Sequence, residues 1–232
     1  MRPLSYYVPK ILLPVKGKPV LNYILSNLSS LNIDTHYIVA YEHLETIERY
    51  LKNTDADNVE VVRGLGWETG GDLSLALEQI NKQEDAAVMN GDIITDVDMA
   101  KLYSKHKKSG SLASIAVLSL DDPEEAKRFG RIKLDQESKI IKFEEKSTEI
   151  VERPALVNTG FYIFDSELVK QREKYLIPKR FKLENTLFPR LVEQGNLSGY
   201  ITDINYWWDV GTIDSYIKAE NFMINKKGVV PP

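Results

Sequence analysis

Cysteine is absent from the 232 residues, which excludes disulfides and thiolate metal sites and fits a reducing compartment. The three histidines, His36, His43 and His106, show no ligand spacing, which argues against zinc. Basic residues do not exceed acidic ones: 30 Lys and Arg stand against 34 Asp and Glu, a net charge of −4. Bulk electrostatics therefore do not favour nucleic acid, and a polyanionic ligand needs a local basic cluster. No apolar run approaches the ~20 residues of a membrane span. Met1-Arg2-Pro3-Leu4 has no signal-peptide core, and no Gly-x-Ser-x-Gly nucleophile pattern occurs. These absences predict a cytoplasmic protein with neither membrane nor nucleic-acid partner. What remains is ordinary globular material, 43% hydrophobic and 28% charged, enough for one large α/β domain or two small ones.

Met1 to Pro14 holds three prolines and no period, so it reads as a loop. Lys18-Pro19-Val20 opens a helix whose apolar face is Val20, Leu21, Ile24, Leu25, Leu28 and Leu31. Strands are expected at Thr35 to Tyr41, Asn58 to Arg63, Ala86 to Met89 and Leu112 to Leu118. Between them lie helices at Glu42 to Leu51, after the Gly64 to Gly71 loop, and from Met99 behind an Asp98 cap. That alternation predicts a Rossmann-like sheet flanked by helices. The rhythm then changes. Arg131 to Leu134, Lys139 to Glu144 and Leu156 to Phe164 read as an antiparallel β insert with no convincing helix between them. A helix at Leu183 to Glu193, strands at Leu197 to Thr202 and Tyr206 to Trp208, and a Thr212-capped helix follow. Lys226 to Pro232 reads as a frayed tail. The expected organisation is one domain, 1–232, in two lobes: an α/β lobe at 1–120 and a β-rich lobe at 121–232. A crevice between such lobes suits a two-part ligand.

Several short stretches could carry chemistry. Asn90-Gly91-Asp92 ends an apolar run, so it puts an acid at the carboxyl end of a strand, where open α/β sheets bind ligands. The bland alternative is a turn. Lys10 stands between Pro9 and Pro14 and can be a solvated loop lysine or a point charge for phosphate. Glu68-Thr69-Gly70-Gly71 precedes a helix; its amides could approach a base or phosphate, or the glycines could serve the turn. Phe143-Glu144-Glu145-Lys146 could put an ammonium on a phosphate and a carboxylate on sugar hydroxyls, or be an exposed strand end. Asn158-Thr159-Gly160 interrupts an apolar strand, so the asparagine needs a partner, ligand or backbone. Asp209, in Trp208-Asp209-Val210-Gly211-Thr212, can be a helix cap or, with Asp92, the second carboxylate a Mg²⁺ uses beside substrate phosphates. Asp96-Val97-Asp98 can be a cap or a glycosyltransferase-type Asp-x-Asp.

Taken in order, these pieces resemble the sugar-nucleotide pyrophosphorylases, nucleotidyltransferases that join a sugar 1-phosphate to an NTP. The matching stretches are Arg-Pro-Leu-Ser, Pro-Lys-x-Leu-Leu-Pro-Val, Gly-Lys-Pro-Val-Leu, Glu-Thr-Gly-Gly, Asn-Gly-Asp, Phe-Gly-Arg-Ile, Phe-Glu-Glu-Lys, Asn-Thr-Gly-Phe-Tyr-Ile-Phe and Trp-Asp-Val-Gly-Thr. Phe181-Lys182-Leu183-Glu184 and Trp208 to Thr212 look most like the short enzymes acting on mannose-, heptose- or muramic-type sugar phosphates. The family's first strand and its Gly-rich loop ending Gly-Thr-Arg would lie directly before Arg2-Pro3-Leu4. The expectation is therefore a sheet one strand short, the loop being encoded upstream of this Met1, trimmed or lost.

The resemblance implies in-line attack of the sugar-1-phosphate oxygen on the NTP α-phosphorus, with pyrophosphate leaving. By matching positions, Asp92 and Asp209 hold Mg²⁺, and Lys10 and Lys146 neutralise phosphate charge. Gly130, Glu145 and Asn158 line the sugar pocket, Gly70 and Gly71 lie against the base, and Thr69, Gly91 and Gly160 are further substrate-binding positions. The NTP would be GTP, UTP or dTTP, with a mannose-1-phosphate guanylyltransferase-like pairing favoured, and a homo-oligomer is compatible. A rival reading is a non-catalytic sugar-phosphate-binding or regulatory paralogue. A third is a glycosyltransferase using Asp96 and Asp98.

Overall fold

The structure is a computed structural model that describes residues 1–54, 56–146 and 153–225; the expected frayed tail lies outside them. In chain order the strands are β1 Pro14–Val15, β2 Lys18–Pro19, β3 His36–Ala40, β4 Val59–Arg63, β5 Ala86–Met89, β6 Ile93–Thr95, β7 Ala113–Leu120, β8 Arg131–Leu134, β9 Ile140–Glu144, β10 Ala155–Phe164, β11 Leu197–Ile201 and β12 Trp207–Asp209. The α-helices are α1 Val20–Leu28, α2 Leu44–Lys52, α3 Glu68–Ile80, α4 Met99–Ser109, α5 Pro123–Ala126, α6 Ser166–Lys170, α7 Arg172–Tyr175, α8 Leu187–Glu193 and α9 Ile213–Asn225. The fold is mixed α/β, as expected. It divides into two compact units: Met1–Arg63, Asn90–Met99 and Ile204–Pro232 form the first, and Gly64–Met89 with Ala100–Asp203 the second. This division does not follow the 1–120 and 121–232 halves of the sequence reading, because the chain passes back and forth between units.

In the first unit, β3 and β4 pair in parallel across the α2 crossover. Their inward residues Ile38 and Val59 pack with Leu21 of α1 and Ile47 and Leu51 of α2. Pro19 precedes α1 and supplies no side-chain cap; instead Val20 N–H bonds back to the Leu13 carbonyl at 3.0 Å. The stretch read as a loop contains two 3₁₀ turns, Leu4–Tyr6 and Lys10–Leu12, then the β1–β2 hairpin. A second ladder, β6 with β12, aligns Asp209 with Ile93.

The second unit holds a six-stranded sheet in the order β11-β7-β10-β8-β9, with β5 also on β10. Only the β7–β11 pair is parallel; the other pairs are antiparallel. The strands expected as an insert include the sheet's centre. Every residue of β10 except Leu156 is buried, which only a strand covered on both faces achieves. One edge of β10 follows β7; the other pairs with β8 at Leu156 and Val157, then with β5 from Phe161 to Phe164. Asn158, Thr159 and Gly160 sit where the partner changes, and the β7 register shifts there. Tyr162 and Phe143 pack on Phe188 of α8 at ring separations of 4.9 and 5.3 Å, centring the core on the sheet face α8 covers.

Candidate functional site

The first unit gathers Lys10, Gly91, Asp92 and Asp209. Lys10 opens a 3₁₀ turn after the extended Pro9, and its Nζ donates to Asp92 Oδ2 at 3.2 Å. Both side chains keep solvent contact, 40% and 30% exposed. Asp92 lies in the turn between β5 and β6, and its carbonyl accepts the Val210 N–H at 2.8 Å. Asp209 ends β12 beside it. The β6–β12 ladder therefore delivers both acids to one end, although 117 positions separate them in sequence. Asp209 Oδ1 accepts the Gly211 N–H at 2.7 Å. A Cβ on residue 211 would stand 2.6 Å from that oxygen, so glycine is what lets the loop close on the carboxylate. At Gly91 a Cβ would meet only Ile11 Cδ1 at 3.8 Å; packing does not demand glycine there.

Asp92 and Asp209, set near one ladder end, carry the hard oxygen donors that a Mg²⁺ takes in pairs when substrate phosphates and water complete its shell. Among the described residues no group of three or more His, Cys, Asp or Glu could hold a metal, so a self-sufficient protein cage is not offered. Asp96 is committed elsewhere. Its Oδ1 accepts from the amides of Asn205 and Tyr206 at 2.9 and 3.2 Å, and its Oδ2 from Asn205 Nδ2 at 2.7 Å. This occupies the carboxylate that an Asp-x-Asp metal site would need.

The second unit gathers Thr69, Gly70, Gly71, Gly130, Glu145, Asn158 and Gly160. α3 begins at Glu68, so the glycine pair lies inside its first turn. The Gly70 and Gly71 amides both donate to the Phe181 carbonyl, at 3.0 and 3.2 Å, and Phe181 N–H donates to Trp67 O at 3.1 Å. A Cβ on Gly70 would lie 2.2 Å from the Phe181 ring, and one on Gly71 2.4 Å from the Lys179 carbonyl. The close approach that these glycines permit is thus to the 179–181 segment, and their amides are not open to a phosphate. Glu68, in the left-handed region at φ 64°, pairs with Arg180 Nη2 at 2.8 Å. That hydrogen bond, with Lys182 nearby, holds its carboxyl below the ordinary range against a smaller burial effect.

Gly130 brings the sugar-side candidates together. A Cβ there would strike Phe143 at 2.7 Å and Glu145 Oε2 at 3.0 Å, and its carbonyl accepts the Asn158 amide at 2.7 Å. Burial raises the Glu145 carboxyl above its ordinary value; Glu184 adds to this, and Lys146 and Lys182 oppose it. Lys146 is exposed, its Nζ 3.9 Å from Glu145 Oε1. Asn158, 8% exposed, finds its partners internally: Oδ1 accepts the Gly160 N–H and Nδ2 donates to Tyr162 Oη, each at 2.9 Å. Gly160 takes φ 83°, which this bulge requires. The sequence reading missed Tyr162 as a polar participant and gave Glu184 and Lys182 no role. The signal was a tyrosine two residues beyond Gly160 in the same strand and a glutamate among Phe181, Leu183 and Leu187.

The family model for nucleotidyl transferase matches residues 1–226. The chain belongs to that family. Among curated proteins it is similar to a mannose-1-phosphate guanylyltransferase of Mycobacterium tuberculosis, 26% identical, covering 100% of this chain and 62% of that protein. It is also similar to a UTP–glucose-1-phosphate uridylyltransferase of Synechocystis, 27% identical, covering 98% and 61%. The chain thus spans about three fifths of the length of the curated relatives it matches. Among solved structures, a Bacillus anthracis protein named provisionally as a glucose-1-phosphate thymidylyltransferase superposes with a TM-score of 0.82 at 21% identity, covering 97% of this chain and 91% of that one. That likeness shows the shared nucleotidyltransferase-type fold.

Proposed function

We propose that this protein joins a sugar 1-phosphate to an NTP, giving an NDP-sugar and pyrophosphate, with mannose 1-phosphate and GTP as the favoured pair. The observation that carries the reading is the Lys10–Asp92 ion pair set beside Asp209 at one ladder end, in a chain of the nucleotidyl transferase family. The guanylyltransferase relative supports the choice of pair. Asp92 and Asp209 would hold Mg²⁺, which when bound neutralises phosphate charge. Gly211 keeps one Asp209 oxygen fixed for that task. Lys10, now on Asp92, can swing its ammonium to a phosphate oxygen at little cost, because the pair is half-exposed. In the second unit, Glu145 would accept from sugar hydroxyls and Lys146 would meet the sugar phosphate. Gly70 and Gly71 would serve by seating the 179–181 segment, which takes both their amides and the space beside their Cα atoms. Such transfers run mostly on positioning and charge neutralisation.

The test is pyrophosphate release with Mg²⁺, each NTP and a panel of sugar 1-phosphates. Replacing Asp92 by alanine should lower the rate at least about a hundredfold, since even residues supporting metal ligands are worth 10–100-fold. An unchanged rate sinks the metal assignment. Sugar-phosphate binding with no NTP binding and no pyrophosphate would favour the regulatory paralogue instead.

A further inference from the structure

Lys179-Arg180-Phe181-Lys182 puts three cations into four positions of a chain whose net charge is −4. A polyanionic ligand needs such a local cluster. The segment is also firmly seated. Phe181, 9% exposed, anchors it in the core of the second unit. The Phe181 carbonyl takes the Gly70 and Gly71 amides, and its ring fills the space a Cβ on residue 70 would need. Glycine weakens a helix, so two of them in the first turn of α3 are explained by what they seat. On either side of Phe181 the charges stay in solvent: the Arg180 side chain is 71% exposed and that of Lys182 42%.

One carboxylate already sits on these cations. Glu68 Oε1 lies 2.8 Å from Arg180 Nη2, and Oε2 lies 4.0 Å from Lys182 Nζ. Two oxygens of one group, each turned to a different cation, is also how a phosphoryl group meets a basic pair. Glu68 holds this place from the left-handed region, φ 64°, which a non-glycine residue adopts only under constraint. The contact gives little stability in return, because both side chains of the Glu68–Arg180 pair keep solvent contact. Stability therefore does not account for the arrangement.

We propose that Arg180 and Lys182 form a phosphoryl-binding site and that Glu68 is its internal occupant, a carboxylate that an incoming phosphate displaces. The proposal rests on the reading above only for the source of that phosphate, a sugar 1-phosphate or an NTP. A phosphate monoester carries about −1.5 to −2 at pH 7 and so outcompetes a single carboxylate charge. The displaced Glu68 turns to water and leaves no buried charge behind.

The test is isothermal titration of the native protein, Glu68→Gln and Arg180→Gln with inorganic phosphate, pyrophosphate, mannose 1-phosphate and GTP. Both substitutions break the same ion pair, so a purely structural pair moves affinity in one direction for both. A displaced occupant predicts opposite signs. E68Q should bind phosphate probes about two- to fivefold more tightly, the worth of an exposed ion pair. R180Q should bind them on the order of tenfold more weakly, the scale of a lost charge-assisted hydrogen bond. Added salt should shrink both effects. Opposite signs with mannose 1-phosphate assign the site to the sugar phosphate; opposite signs with GTP and pyrophosphate assign it to the triphosphate. Shifts of the same sign overturn the proposal, and so does an R180Q variant that binds every probe as the native chain does. If the native chain releases no pyrophosphate with any substrate pair, the nucleotidyl-transfer reading falls, while the signs measured with inorganic phosphate still decide this site.

Discussion

Glu145 shows how the fold and the proposed task pull against each other at a single residue. Burial, with Glu184 adding to it, raises its carboxyl above the ordinary value, so the folded chain holds this proton to higher pH than the unfolded chain does. A raised carboxylate contributes its stability below the unfolded value, about 4.3, and loses it as pH rises through the folded value. Glu145→Gln should therefore melt higher than the native protein at pH 7, the advantage vanishing near pH 4, while sugar-phosphate turnover falls. Differential scanning calorimetry at both pH values checks the first part. At this scale the sequence named Lys10, Asp92 and Asp209 as candidates, and the fold sets Lys10 on Asp92 and Asp209 at the same ladder end. The sequence was not legible for the partners of Gly70 and Gly71, since their acceptor, the Phe181 carbonyl, lies more than a hundred residues away. Nor did it reveal that Asn158 would find both partners within two and four residues.

Elements were readable where a single physical signal dominated. β5 and β8 match the expected Ala86 to Met89 and Arg131 to Leu134 because short apolar or β-branched runs bounded by turn residues leave few alternatives. The short helices α5 and α6 escaped because they carry no full period; each is announced only by an aspartate cap, Asp122 or Asp165. The helix expected from Leu183 onward breaks at Thr186, whose φ of −133° is not helical, into a 3₁₀ turn and α8. The start of α3 offers the sharpest test at this scale. Gly71→Ala drives a methyl to 2.4 Å from a backbone carbonyl that cannot rotate away. It should destabilise the protein by about 1–3 kcal/mol, as overpacking does, read as a lower midpoint in urea at unchanged slope.

For the molecule as a whole, the acid side of the stability curve should be governed by buried histidine. His106, 1% exposed, bonds Ser114 Oγ at 2.8 Å through Nδ1. Burial depresses its protonation, against the pull of Asp165 and Asp85; burial also lowers His36. The unfolded chain takes up these protons near pH ~6.5, whereas the folded chain resists. Stability is then complete above about 6.5 and is lost as pH falls through the folded values. Burial works to raise Asp85, but hydrogen bonds from Lys107, Ser166 and Tyr103 outweigh it and hold the carboxyl low. That contribution persists below the histidine range and fades only in stronger acid. Urea unfolding at pH 8, 6 and 5 should show a fall that His106→Gln flattens; an equally steep fall in the variant would rule His106 out as its source. The α/β class was plain from alternation, but the sheet order was not, because β10 acquires its three partners from stretches scattered between Ala86 and Leu134.

The irregularity in β10 also limits how this chain can change length. Between Asn158 and Tyr162 the strand advances four residues while β7 advances only two, from Val117 to Ile115. The surplus is even, so residues on both sides of it keep the same parity with respect to the two faces of the sheet. Gain or loss of one residue would invert that parity for everything beyond, turning Tyr162 away from Phe188. Length changes at this point are tolerable only in pairs, and a two-residue loss would keep the core while erasing the polar fixture that Asn158 and Gly160 provide.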